Sequence, residues 1–284
     1  MSKSNPTQPA EPTEQLAEPD HQTGSTEQEK PIEPSAQLKI YREQLAGLSA
    51  ADVLRWTART FGHTAALATS LGAEDQVLTD LIARAAPQLS IFTLDTGRLF
   101  AESYDLIAET TKRYGVAIDI FFPESADVEA LVNEHGVNLF RESVELRKAC
   151  CRVRKLEPLA RALAGKAAWI TGLRREQSPT RTGFETIEFD AVHGIYKINP
   201  LLDWTEADVW DYVELRDVPT HALHQKNYPS IGCACCTRAV DSGDDVRAGR
   251  WWWETPEQKE CGLHVVDGKL VRAGQTNDTQ GDPS

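Results

Sequence analysis

No run of apolar residues in this 284-residue chain approaches the roughly 18 needed to cross a bilayer, so a helical membrane span is excluded. The N-terminus lacks a basic stretch followed by an apolar one, so no secretory leader is read and a cytoplasmic protein is expected. Positive charge is scarce: 30 Lys and Arg stand against 43 Asp and Glu, a net charge of −13, which argues against general nucleic-acid binding. An anionic ligand would need its cations gathered locally. Aromatic residues are absent before Tyr41, and prolines and acidic residues crowd that stretch (Glu11, Glu14, Glu18, Asp20, Glu27, Glu29 and Glu33 against Lys3 and Lys30). Such a segment buries too little apolar surface to offset its ordering entropy, so residues 1–36 read as a disordered acidic tail, and 273–284 as a second one. Neither phosphate-loop pattern, G-x-G-x-x-G or G-x-x-x-x-G-K-[ST], occurs.

Between the tails the pattern alternates. Residues 39–60 carry a helical apolar period. Ala65–Thr69 reads as a strand, Glu74–Ala86 as a helix, Leu89–Leu94 as a strand and Arg98–Tyr114 as a helix. Val116–Phe122 reads as a strand, Ser125–Glu134 as a helix, 151–164 as a helix and Ala167–Thr171 as a strand. Strands separated by helices of 10–15 residues predict βαβ units and a parallel sheet covered on both faces. In such sheets ligands bind at the carboxyl ends of the strands. There the sequence places Ser70-Leu-Gly-Ala-Glu-Asp75, Asp95-Thr-Gly-Arg98 and Thr171-Gly-Leu-Arg-Arg175. Small residues admit a ligand to the backbone, arginines supply anion contacts, and a helix N-terminus after a strand attracts anions. By itself the Ser70 loop is as much an ordinary βα turn as a nucleotide site.

The cysteines carry the sharpest signal. Six in a chain with no leader are not a disulfide framework. Cys150 and Cys151 are adjacent, Cys233 and Cys236 form a C-x-x-C pair with Cys235 inside it, and Cys261 stands alone. Four thiolates suit tetrahedral zinc or an iron–sulfur cluster, with buried thiols or a redox pair as the blander readings. Adjacent side chains on a helix diverge by roughly 100°, which separated iron corners tolerate better than a single ion does. Cys235 reads as a bystander. Around the first pair, Arg147, Lys148, Arg152, Arg154 and Lys155 reverse the local charge, and Arg247 and Arg250 beside Trp251-Trp252-Trp253 do so after the second. A charge run is most often a solvated helix face; here it brackets presumptive thiolates and can balance them. Cys261 is either a nucleophile, activated by neighbouring cations with His264 three residues on, or a stray thiol on a tail.

Taken together, Ser70–Asp75, Leu94-Asp-Thr-Gly-Arg98, Lys148-Ala-Cys-Cys151, Thr171-Gly-Leu-Arg-Arg-Glu-Gln-Ser178, Tyr228-Pro-Ser-Ile-Gly-Cys233 through Cys236, Arg247-Ala-Gly-Arg-Trp251 and Glu260-Cys-Gly-Leu-His264 resemble the assimilatory adenylyl-sulfate reductases, relatives of the phosphoadenylyl-sulfate reductases. The resemblance covers residues 40 to 265; Cys235 is a departure from its pattern. It implies a Rossmann-like parallel sheet of the adenine nucleotide alpha hydrolase type with a mobile C-terminal segment. The implied division is 37–225 for the α/β nucleotide-binding domain and 226–272 for the CxxC and catalytic-cysteine segment. It implies adenylyl sulfate as substrate, or the 3′-phosphorylated nucleotide, and attack by Cys261 to give an S-sulfocysteine that thioredoxin or a glutaredoxin-like dithiol resolves. A [4Fe-4S] cluster would sit on Cys150, Cys151, Cys233 and Cys236. Backbone near Ser70 and Leu94 would hold adenine and ribose, with Asp95 a further polar contact. Lys155, Arg174, Arg247, Arg250 and His264 would hold the anionic groups. Family members often form homo-oligomers.

Overall fold

The computed structural model of the chain describes residues 34–177, 184–241, 243–255, 265–266 and 269–270. The apolar period at 39–60 resolves into two helices, α1 (Pro34–Leu45) and α2 (Ala50–Phe61). Gly47 interrupts it at φ +73°, and Ser49 restarts it by accepting a hydrogen bond from the Asp52 amide at 3.2 Å. Then come β1 (Ala65–Thr69), α3 (Ala73–Ala85), β2 (Ser90–Leu94), α4 (Ala101–Tyr114), β3 (Ile118–Phe121) and α5 (Ser125–His135). The second half holds α6 (Val144–Cys151), α7 (Glu157–Leu163), β4 (Ala168–Ile170), β5 (Ile187–Asp190), β6 (Ile195–Ile198) and α8 (Glu206–Arg216). A two-stranded ribbon, β7 (Val265–Val266) and β8 (Lys269–Leu270), pairs antiparallel.

Six strands form one sheet in the order β3-β2-β1-β4-β6-β5. Neighbours from β3 to β6 run parallel, as the alternation predicts. The edge strand β5 runs antiparallel to β6, and the sequence reading contains neither strand. Their hairpin turns on Asp190, whose Oδ1 accepts from the Val192 and His193 amides at 3.0 and 3.2 Å, with Gly194 at φ +68°. Both strands are four residues long and carry Glu188 and Lys197, which blunts the apolar signal. One sheet face packs on α1, α2, α3 and α8 through Leu54, Leu67, Leu78, Ile82, Ile170, Ile198 and Val209. The other packs on α7 through Phe92, Leu159, Leu163 and Trp169.

The strand order reverses between β1 and β4, the crevice where open α/β sheets bind ligands. The helix expected at 151–164 begins seven residues earlier. It runs through a π-helical turn, Arg152–Leu156, into α7. Ser143 caps it by accepting from the Leu146 amide at 3.1 Å. The helix expected from Arg98 starts at Ala101, because Gly97 (φ +70°) holds a loop open after β2.

Candidate functional site

The loop after β1 is tied down from beneath. Asp75, in the first turn of α3, is buried, and its Oδ2 accepts from both the Ser70 amide and the Ser70 hydroxyl at 2.6 Å. Leu71 is thereby held at φ +66°, a conformation a branched residue seldom adopts unaided. Across the crevice, at the end of β4, Gly172 is obligatory: a Cβ there would lie 2.4 Å from Asp75 Oδ1 and 2.8 Å from Glu74 Cβ. Burial pushes the Asp75 carboxyl up to about 6, against the pull of the Ser70 hydrogen bonds.

The loop after β2 leans the other way. Asp95 is buried and accepts from the Gly97 amide at 2.7 Å and the Tyr104 hydroxyl at 2.8 Å, so it shapes the loop rather than facing the cleft. Thr96 gives its carbonyl to Arg154 Nη1 at 2.8 Å and sets its hydroxyl 3.2 Å from the sulfur of Cys233. The Arg98 carbonyl accepts from the Ala234 amide at 2.8 Å.

These loops enclose a cleft of about 860 Å³. Ser70, Leu94, Lys155, Arg174, Arg247 and Arg250 all line it, as do the thiols Cys151, Cys233 and Cys236. Arg174 is already committed: Nε meets Glu74 at 2.9 Å and Nη1 meets Glu176 at 2.7 Å. Arg250 Nη1 donates to the Ile231 carbonyl at 3.3 Å and packs over the Trp251 ring. A Cβ on Gly232 would lie 2.3 Å from the Arg250 guanidinium, so that residue keeps the arginine's seat open. His224 also lines the cleft; its Nδ1 donates to the Tyr228 carbonyl at 2.9 Å, and burial lowers its pKa, so Nε2 presents a lone pair.

The charge run at 147–155 is not a solvated face. Arg147 and Arg154 are buried, whereas Lys148 and Arg152 are exposed, Arg152 pairing with Glu157. Arg147 makes a two-pronged contact with Glu254, Nε to Oε1 at 2.7 Å and Nη2 to Oε2 at 2.9 Å, and stacks on Trp251. The wide turn at Arg152–Leu156 lets Arg154 reach the β2 loop while Lys155 faces the cleft.

Cys150 and Cys236 are buried in one cluster with Leu139, Phe140 and Trp251, and Cys233 and Cys235 pack against it. All five described cysteines are free thiols. Burial pushes the Cys150 thiol up. Within the Cys235–Cys236 pair, their mutual hydrogen bond leaves the charge on Cys235, beside Arg98, and pushes Cys236 up. Among the described residues, no three or more Cys, His, Asp or Glu side chains converge as a single bound ion requires. Two donor-only atoms beside the thiols, Arg154 Nε and Trp251 Nε1, are buried without a hydrogen-bond partner among the described residues. Buried donors are seldom left so. With four thiols nearby, they fit a sulfur-rich anionic group as the missing acceptor.

The model of the phosphoadenosine phosphosulfate reductase domain matches residues 64–239. The chain belongs to the phosphoadenosine phosphosulfate reductase family. It is 56% identical over 197 residues to an adenosine 5′-phosphosulfate reductase of Allochromatium vinosum, covering 69% of this chain and 77% of that one. It is 51% identical over 222 residues to an adenosine 5′-phosphosulfate reductase of Agrobacterium fabrum, covering 78% and 85%. Among solved structures, a phosphoadenylyl-sulfate reductase from Candida auris in a phosphate complex superposes with TM-score 0.62 at 29% identity, over 72% of this chain and 97% of that chain.

Within this reductase family member, then, the Rossmann-like sheet expected from the sequence is present, and ten of the twelve site residues expected from the sequence fall among the described residues. Nine of them line the cleft, and Cys150 lies in the thiol cluster that adjoins it. Cys261 and His264 lie outside the described residues. No described helix is long and apolar enough to cross a membrane. The sequence reading missed Glu254, and His224 as a cleft residue; it named Arg154 in its charge run and Thr96 in a motif without the contacts that they make. It had Asp75 and Gly172 inside its motifs without a role for either; an acidic residue five positions after a strand-end serine was the available signal.

Proposed function

We propose that this enzyme reduces adenylyl sulfate to sulfite and AMP in the cytoplasm, at the expense of a dithiol such as thioredoxin, through an S-sulfocysteine on Cys261. The observation that carries the reading is the single cleft in which strand-end backbone, four cations and three thiols meet. The relatives named for adenylyl sulfate reduction support the substrate.

In this mechanism the Ser70 loop and the end of β2 at Leu94 hold adenine and ribose. Lys155, Arg174, Arg247 and Arg250, with His264, hold the phosphosulfate. Bringing a thiolate to that group sets like charges together. At about 4 Å and an effective dielectric near 20, each unit pair costs on the order of 4 kcal/mol, which the cations offset. Arg174 takes part by loosening one of its two carboxylates. The Cys261 thiolate attacks the sulfate sulfur; an S–S bond forms, the S–O bond to phosphate breaks, and its electron pair leaves with AMP. A thiolate of the dithiol then attacks the Cys261 sulfur. Sulfite departs with the S–S electron pair, and the second thiol releases Cys261 while the dithiol becomes a disulfide. The C-terminal segment that carries Cys261 closes over substrate and reopens to present the sulfonated cysteine. Cys150, Cys151, Cys233 and Cys236 would hold a [4Fe-4S] cluster, which supplies a fixed charge distribution that orders the neighbouring cations.

The test is mass spectrometry of the protein mixed with adenylyl sulfate without reductant. The Cys261 peptide should gain the mass of SO₃; an unmodified peptide overturns the mechanism. The 3′-phosphorylated nucleotide, assayed beside it, should turn over more slowly.

A further inference from the structure

Cys235 sits where no bystander is expected. The turn that carries it, Ala234–Cys236, is a single 3₁₀ turn, in which neighbouring side chains should point roughly 120° apart. The two sulfurs nevertheless lie only 3.7 Å apart. The backbone holding them is clamped on every side. The Cys236 amide donates to the Cys233 carbonyl at 2.9 Å, the Cys236 carbonyl accepts from the Trp251 amide at 3.1 Å, and Thr237 Oγ1 donates to the Cys233 carbonyl at 2.9 Å. Cys235 packs on the same cluster as Cys150 and Cys236.

Two sulfurs 3.7 Å apart crowd each other too closely to serve separate irons together, but they can serve one iron in turn. A single χ1 step carries a cysteine sulfur about 3 Å, which nearly spans the gap. Resting on the cluster reading above, we infer that Cys235 is an alternate thiolate ligand for the iron otherwise held by Cys236. The exchange is a ligand substitution: the Fe–S bond to Cys236 breaks, the one to Cys235 forms, the proton of the incoming thiol passes to the departing sulfur 3.7 Å away, and no electron moves. Occupancy favours Cys236, whose backbone is tied at both ends, and passes to Cys235 when Cys236 is lost or modified.

The test uses full-length protein purified anaerobically: the wild type, Cys235→Ala, Cys236→Ala and the double variant. Iron, acid-labile sulfide and the visible spectrum of each are measured. The wild type and Cys235→Ala should carry equal iron. Cys236→Ala should keep more than half of that iron with a shifted spectrum, and the double variant less than a tenth. If Cys236→Ala is as empty as the double variant, Cys235 is no ligand and the inference fails. A wild type free of iron sinks the cluster reading beneath it instead. Cys236→Val with and without Cys235→Ala repeats the comparison at a filled position, so any loss of folding from the vacated site is common to both members of each pair and cancels.

Discussion

Glu254→Ala should be among the most damaging single changes outside the core. Glu254 lies just beyond Trp251-Trp252-Trp253, and its carboxylate grips Arg147 of α6 with contacts of 2.7 and 2.9 Å. The two side chains are 0% and 4% exposed, so water does not screen the pair. Alanine leaves a buried guanidinium without its carboxylate, a loss of about 3–5 kcal/mol. For a domain of this size each kcal/mol lowers Tm by about 2–4 °C, so the expected fall is roughly 6–20 °C. Urea unfolding at neutral pH, followed by tryptophan fluorescence, reads the loss directly, because Trp251 stacks on Arg147. Replacing both partners, Arg147→Met with Glu254→Leu, should recover most of the stability, since no charge is then stranded. A loss below about 1 kcal/mol for Glu254→Ala, the range of exposed pairs, would refute the reasoning.

Burial holds the Asp75 carboxyl near 6 in the fold, whereas the unfolded chain lets it titrate near 4. A raised native pKa gives stability that is fully present below about 4 and is lost as pH rises through about 6. Relative to Asp75→Asn, the wild type should lose about 3 kcal/mol over that window; a flat difference across matched unfolding curves would contradict it. Gly232→Ala drives a Cβ into the Arg250 guanidinium and should raise the substrate KM about tenfold, the value of a charge-assisted hydrogen bond, with Tm little changed. Gly172→Ala meets Asp75 and Glu74 instead, and overpacking there should cost about 1–3 kcal/mol by urea titration. Cys261→Ser should keep the iron absorption and lose sulfite formation in a coupled assay; turnover in that variant would remove the nucleophile from the mechanism.

How much of this the sequence reveals depends on how far apart the cooperating residues lie. The βα periods of β1, α3, β2 and β3 are local, and their ends fall within a residue or two of the expectation. The strand-end loops are legible for the same reason, since a parallel sheet sends them all to one edge. The Arg147–Glu254 pair spans 107 positions, and nothing in either neighbourhood names the other. The charge run was ambiguous because helical periodicity assumes 3.6 residues per turn, and the π turn breaks that phase just where Arg154 and Lys155 part company. The β5–β6 hairpin hides behind strands of four residues. Asp75 was visible as a residue and not as a clamp, because its role depends on a loop folding back five positions.

The wide turn at Arg152–Leu156 also makes α6 and α7 two independent dials on one shaft. The phase of α6 is set by where its cysteines must point, and that of α7 by the groove of the sheet it fills. With a slipped turn between them, a substitution that rotates one leaves the other's register intact. Thiol geometry and sheet packing can therefore drift separately over evolutionary time, provided the inserted residue stays.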